Sequence, residues 1–210
     1  MAPILIASNN QGKLVEIQAL LAPAAGLAPV ELFLPRMLGL ELDVVEDGLT
    51  YAENAARKAQ AFHQALQALP APGGRGWVVL ADDSGLEVDA LDGQPGLYSA
   101  RYSGIPGASD ADRRAYLLAK LAGKARPWLA HFHCTVALVS PGGEMVFAEG
   151  DCPGEIIPQE RGSNGFGYDP IFLLPQLGRT MAELSMAEKN ALSHRARAVQ
   201  AAIPTLRSWG

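Results

Sequence analysis

Short runs of purely apolar residues alternate along this chain with stretches whose apolar residues recur at helical spacing, and that alternation restricts it to an α/β fold. Ile4-Leu5-Ile6-Ala7 and Trp77-Val78-Val79-Leu80-Ala81 offer no polar position to turn toward water, so each reads as a strand covered on both faces. Residues 13–21 carry Leu14, Ile17 and Leu21 on one helical face, and the helix stops before Pro23. A weaker strand is expected over residues 30–34. Thr50 opens a longer helix through the capping box Thr50-x-x-Glu53, and Pro70 ends it, leaving residues 70–76 as a flexible loop. Ser109 or Asp110 caps a helix that runs to about residue 121. Residues 130–140 and 144–149 pair as a hairpin about Pro141-Gly142-Gly143. A short strand follows over residues 171–174, and the box Ser185-x-x-Glu188 opens a final helix that ends before Pro204. Crossover helices together with a hairpin require a mixed sheet, and a hairpin inserted between helical units suits two lobes with a cleft between them.

The chain is 210 residues long, enough for one ample domain that buries about 70% of its unfolded surface without disulfides or a structural metal. We read residues 1–210 as that single domain. Lys and Arg number 17 against 22 Asp and Glu, with no basic block, which argues against sequence-independent binding to nucleic acid or to an anionic membrane. A small anionic substrate remains compatible, because a few placed cations suffice. Cys134 and Cys152 form no CxxC pair and read as reduced thiols of a cytoplasmic protein. No cationic leader precedes the first apolar run, and no stretch is long and apolar enough to span a bilayer.

Four segments look chemical. Ser8-Asn9-Asn10-Gln11-Gly12-Lys13 lies between a buried strand and a helix, where free N–H groups and the positive end of the helix dipole favour an anion; the same composition also serves a plain helix cap. Ala81-Asp82-Asp83-Ser84-Gly85-Leu86 follows the apolar strand. Two adjacent carboxylates there need a cation or hydrogen-bond partners, and strand alternation lets only one of them face a site; the alternative is an Asx turn. In Gly162-Ser163-Asn164-Gly165-Phe166-Gly167-Tyr168-Asp169-Pro170 an aromatic on a glycine loop can stack on a nucleobase, or fold into the core instead. The fourth segment runs from Ser185 through Lys189, His194 and Arg195. On a regular helix Lys189 lies roughly 140° from His194 and roughly 120° from Arg195 the other way, so either the helix bends near Ser193 or a ligand spans its end. Glu46 is a loop acid that alone reads as part of a surface turn. Glu53 already has a capping role. His131 and His133 share a strand face without a further metal-ligand partner and read as packing.

Taken together, Ser8-x-Asn10-x-x-Lys13, Ala81–Leu86, Tyr98-Ser99-Ala100-Arg101-Tyr102, Phe166–Phe172 and Glu188-Lys189-Asn190 with Ser193-His194-Arg195 resemble, in order and along the whole chain, the inosine triphosphate pyrophosphatase family. The resemblance implies a two-lobed α/β fold around a long mixed β-sheet with flanking helices, an active-site cleft between the lobes, and a homodimer. It implies hydrolysis of ITP, dITP, XTP and dXTP to the nucleoside monophosphate and pyrophosphate with Mg²⁺, removing deaminated purines from the nucleotide pool. By the same resemblance Asp83 is the proton acceptor, and Glu46 and Asp83 are the metal ligands. Ser8, Asn9, Asn10, Gln11, Gly12 and Lys13 bind the triphosphate, Ser84 touches substrate, and Phe166, Gly167, Tyr168, Asp169, Lys189, His194 and Arg195 hold the nucleotide and its base. Ala187 and the 70–76 loop depart mildly from the family pattern.

Overall fold

The computed structural model describes residues 2–21 and 31–209. Strands β1 (Ile4–Ile6), β2 (Leu32–Phe33), β3 (Val78–Val88), β4 (Pro95–Gly96), β5 (Trp128–Val139), β6 (Met145–Ile156), β7 (Phe172–Leu174) and β8 (Arg179–Thr180) make one sheet. Its order is β2-β1-β3-β5-β6-β7-β8, with β4 paired to β3. The pairing is mixed: β1 runs parallel to β2 and β3, whereas β3–β4, β6–β7 and β7–β8 are antiparallel. Helices α1 (Gln11–Leu20), α2 (Tyr51–Leu66), α3 (Asp110–Leu121), α4 (Met186–Leu192) and α5 (His194–Ser208) complete the regular structure. Among the described residues no helix is long and apolar enough to cross a membrane.

The chain divides into two compact units that are interleaved in sequence. The first takes Met1–Asp83, Cys134–Gly150 and Arg195–Gly210; the second takes Ser84–His133 and Asp151–His194. In the first unit β1 and the Val78–Ala81 stretch of β3 are covered on both faces, which is why they are apolar at every position. Ile4, Ile6, Val78, Leu80, Cys134 and Val136 pack with Leu14 and Ile17 of α1 and with Ala196, Val199 and Ile203 of α5. Leu5, Val79, Ala81, Ala137 and Val139 point the other way, against Ala55, Ala59, Phe62 and Leu66 of α2. In the second unit Leu86, Val88, Phe132, Ile156 and Phe172 pack with Leu117 and Leu121 of α3 and with Met181 and Leu184.

Several elements match their sequence signals closely. Thr50 caps α2, accepting from the Glu53 N–H at 3.1 Å, but Glu53 reaches back to the Leu49 N–H at 2.6 Å, one residue beyond the expected box partner. Ser109 caps α3 and Ser185 caps α4 with reciprocal boxes. The β5–β6 hairpin turns at Pro141-Gly142-Gly143, with Gly143 at φ +87 and its N–H donating to the Ser140 carbonyl at 3.0 Å.

Other expectations need correction. The strand beginning near Trp77 does not end at Ala81. It continues as β3 through Asp82-Asp83-Ser84-Gly85 to Val88, because Leu86 and Glu87 pair with Gly96 and Pro95 and the Leu86 N–H donates to Ser99 Oγ at 2.9 Å. The carboxylate pair is therefore in mid-strand and forms no turn. Helix α2 closes at Leu66, short of Pro70, and residues 72–74 of the following loop form a single 3₁₀ turn. The weak strand shortens to Leu32–Phe33, and Val30 lies outside the described residues. The final helix is two helices: Ser193 is extended at φ −67, ψ 156 and separates α4 from α5. Helix α5 then passes Pro204, which is exposed, because buried Ile203 and Leu206 anchor both sides of the missing N–H.

Helix α2 packs on the sheet through Ala55, Ala59, Phe62 and Leu66, of which Phe62 is the largest side chain. Phe62→Ala is expected to lower the unfolding free energy by about 3–5 kcal/mol in urea titrations; a loss below about 1 kcal/mol would contradict this packing.

Candidate active site

In the first unit the chain leaves β1 at Ile6 and enters α1 at Gln11. Asn10 caps the helix, its Oδ1 accepting from the Lys13 N–H at 3.2 Å, and Ser8 Oγ accepts from the Asn10 N–H at 3.2 Å. Asn9 donates to the Leu42 carbonyl at 3.3 Å, and Asn9, Asn10 and Gln11 are exposed. The segment thus forms a strand-to-helix connection capped by Asn10, with its first-turn N–H groups at the positive end of a ten-residue helix.

Strand alternation separates the two carboxylates of β3, as the pleat requires. Asp82 shares the face of Val78 and Leu80 and is fully buried, with Lys13 Nζ at 3.1 Å and Arg195 Nε at 3.2 Å from its Oδ2. Arg195 also pairs with Glu16, which α1 buries one turn after Lys13. Burial works to raise the Asp82 pKa, but the charges of Lys13, Arg195 and Lys58 outweigh it and hold the carboxyl well below the usual range. Arg195 is pushed up on balance: burial opposes its charge, while Asp82 and Glu16 more than restore it. Cys134 borders this network and its thiol is pushed up to about 12, first by burial and then by Asp82, so it is an unreactive thiol. Cys134 and Cys152 are both buried, and neither is joined in a disulfide.

Asp83 shares the face of Val79 and Ala81. Its Oδ2 accepts from Asn54 Nδ2 at 3.0 Å, and its Oδ1 lies 3.9 Å from Lys58 Nζ. The same ammonium is 3.0 Å from Glu46. Burial raises the Asp83 pKa, Lys58, Lys13 and Asn54 oppose it, and the neighbouring Glu46 charge adds to the rise, so the carboxylate is more basic than an ordinary Asp. Asn54 also accepts the Gly48 N–H at 2.8 Å, which pins the Glu46 loop to the start of α2. Gly48 is required there, since a Cβ would lie 2.7 Å from Asn54 Oδ1. Glu46 and Asp83 offer acceptor-only oxygens around one cation, a donor set that fits a hard divalent ion whose other ligands are water and phosphate oxygens. Among the described residues no group of three or more His, Cys, Asp or Glu converges on a metal position. His131 and His133 pair with Glu87 and Asp151 instead.

In the second unit Phe166, Gly167, Tyr168 and Asp169 form a tight segment. Asp169 is buried, accepts the Phe166 N–H at 2.9 Å and pairs with the buried Lys189, whose ammonium stands 5.0 Å from the Phe166 ring centroid. Gly165 leaves room for this pair: a Cβ there would lie 2.0 Å from Asp169 Oδ2. Tyr168 turns inward and donates to the Ser99 carbonyl at 2.9 Å. Burial raises its pKa first, so the phenol stays neutral. His194 is buried and stacks on Phe132 at 4.7 Å. Ser84, the residue after Asp83 on β3, opens this unit and is half-buried.

The sequence-predicted residues thus fall into two groups: Ser8–Lys13, Glu46, Asp83 and Arg195 in the first unit, and Ser84, Phe166–Asp169, Lys189 and His194 in the second. Arg195, Tyr168 and Asp169 are occupied within the protein and brace their surroundings. Asn54, Lys58 and Glu16 were missed. Their signal was present: Asn54 and Lys58, four apart, interrupt the apolar face of α2, and Glu16 interrupts that of α1.

The Ham1 family model matches residues 4–205. The dITP/XTP pyrophosphatase of Shouchella clausii is 44% identical over 98% of this chain and 97% of its own length. That of Geobacter sulfurreducens is 46% identical, covering 95% and 94%. Among solved structures, the Ham1 protein of Staphylococcus aureus superposes with a TM-score of 0.79 at 39% identity, covering 98% of each chain. A nucleoside-triphosphatase / dITP/XTP pyrophosphatase of Mycobacterium abscessus gives 0.70 at 42% identity, covering 98% of this chain and all of that one. The chain belongs to the Ham1 family.

Removing Arg195 takes a shared ionic partner from two buried acids, Asp82 and Glu16, so Arg195→Ala is expected to lose about 3–5 kcal/mol of stability by urea unfolding. The pH dependence has a definite sign. The folded-state pKa of Asp82 is depressed, so its stabilisation is complete above the unfolded value and is lost as pH falls through the folded one. Unfolding free energy of the metal-free protein should therefore decline below about pH 4, and less steeply in Asp82→Asn; equal slopes would contradict the assignment.

Proposed function

We propose that this protein hydrolyses the α–β anhydride of deaminated purine nucleoside triphosphates (ITP, dITP, XTP and dXTP), releasing the nucleoside monophosphate and pyrophosphate. The observation that carries the reading is the split of Asp82 and Asp83 on β3: one fixes Lys13 beside the Ser8–Lys13 loop, the other stands with Glu46 around a single cation. Membership of the Ham1 family, with relatives named dITP/XTP pyrophosphatase, supports it.

In this reading the N–H groups at the start of α1, the short polar side chains of Ser8 and Asn10, and Lys13 bind the triphosphate. Asp83 and Glu46 hold Mg²⁺, which when bound neutralises phosphate charge and makes pyrophosphate a better leaving group. Asp83 orients the attacking water and accepts its proton; burial suits it to that task by raising its basicity. Lys58 holds the two acids in register before the metal enters. Phe166 stacks on the purine, and Ser84, Lys189 and His194 contact the nucleotide, with Tyr168 and Asp169 bracing the Phe166 segment. Hypoxanthine and xanthine present an acceptor at O6 where adenine presents an amino donor, so protein donors aimed there select the deaminated bases. The homodimer and the cytoplasmic setting belong to the same reading and rest on the family resemblance, as does treating residues 1–210 as one catalytic domain.

A panel of nucleoside triphosphates, assayed for pyrophosphate release with Mg²⁺ and again with EDTA, tests the proposal. ITP and XTP should turn over at least about a hundredfold more efficiently than ATP, in line with hydrogen-bond discrimination, and EDTA should abolish the reaction. Equal efficiency on ATP, or full activity in EDTA, would refute it.

A further inference from the structure

The segment that carries Phe166 is held from outside as well as by its own hydrogen bonds. Gly167 stands at φ +61, where glycine is the favoured residue, and both polar atoms of its main chain are gripped by α3. Its N–H donates to Asp110 Oδ2 at 2.7 Å, and its carbonyl accepts from Arg114 Nη1 at 2.9 Å. Asp110 and Arg114 are four residues apart in the first turns of α3 and so share a helix face. Each is braced in turn. Arg113 pairs with the other oxygen of Asp110 and donates to the Ala108 carbonyl at 2.7 Å. Arg114 makes a two-pronged bond to Glu160, Nε to Oε1 at 2.8 Å and Nη2 to Oε2 at 2.9 Å. The Arg114 side chain is 12% exposed, which marks a held side chain rather than a solvated charge.

We propose that Asp110 and Arg114 are positioning residues for base recognition: by clamping the Gly167 main chain they fix the adjoining Phe166 ring, and they govern which purines bind rather than how fast the anhydride is cleaved. The inference rests on the reading of Phe166 as the base platform. Two features separate this clamp from general support of the fold. It uses charged groups at both ends of one residue that has no side chain of its own to anchor. The flanking residues also have other ties, Tyr168 to Ser99 and Asp169 to Lys189, so loss of the clamp frees the Gly167 peptide while the segment stays docked.

The test combines steady-state kinetics on ITP and ATP with amide hydrogen exchange at Gly167 in the full-length protein, for Asp110→Ala, Asp110→Asn, Arg114→Ala and Arg114→Lys. Asp110→Ala and Arg114→Ala should each raise KM for ITP about tenfold, hold kcat within about twofold, and narrow the ITP/ATP ratio of kcat/KM. Asp110→Ala should speed Gly167 exchange about tenfold or more while the β7 amides keep their rates. Asp110→Asn, whose amide oxygen still accepts, should recover most of both effects. Arg114→Lys, a point charge without the fork, should not recover KM. Unchanged KM and base preference in the alanine variants would overturn the proposal, as would Gly167 exchange that does not respond to Asp110→Ala. A wild-type chain inert toward every purine triphosphate would overturn the function reading instead, and Gly167 exchange alone would then decide whether the clamp exists.

Discussion

A carboxylate at the centre of a sheet, closed off from water, is among the more costly groups a protein can bury, and Asp82 is such a group. It is tolerated because Lys13 from α1 and Arg195 from α5 converge on one of its oxygens, and Glu16 balances the second of those cations. Two acids and two bases thus tie three elements of the first unit through a single mid-strand position. The ammonium of Lys13 is thereby fixed beside the start of α1, which places a positive charge at the helix end. The neighbouring residue, turned by the pleat to the opposite face, is released from this duty and left beside Glu46 and Lys58.

The second unit repeats the device in another setting. Asp169 and Lys189 are both buried and both paired, and around them the chain uses glycine where any side chain would collide, as at Gly165. The pair orients an aromatic residue: the Phe166 N–H is drawn to Asp169 while the Lys189 ammonium stands over its ring. In each unit a lysine–carboxylate pair does the fixing, with a buried carboxylate at its centre.

The elements were legible in the sequence where one signal dominated. Covered strands such as Ile4–Ile6, the capping residues Thr50, Ser109 and Ser185, and the Pro-Gly-Gly hairpin all speak through local chemistry. Asp82-Asp83-Ser84-Gly85 has a composition that also suits a turn, and of the two readings the strand prevails: β3 runs on through it to Leu86 and Glu87, which pair with β4. Pro204 misled, since packing on either side of it outweighs one lost hydrogen bond. The geometry of Lys189, His194 and Arg195 shows the converse: their angular spacing on one helix was inconsistent with a common target, and the break at Ser193 resolves it, sending Arg195 into the Asp82 network. Lys58 and Asn54 were overlooked because an amphipathic pattern invites counting of apolar positions, whereas the polar residues that interrupt the buried face carried the information.

Parallel measurement of stability and turnover in Asp82→Asn and Asp83→Asn tests most directly whether the two adjacent carboxylates divide a structural from a catalytic role. Loss of the first should cost about 3–5 kcal/mol of unfolding free energy, because Lys13 and Arg195 lose their shared partner. Loss of the second should leave stability unchanged or raised, since burial already disfavours that charge, while ITP hydrolysis falls to background. Equal destabilisation by the two substitutions, or near-normal turnover in Asp83→Asn, would contradict the account.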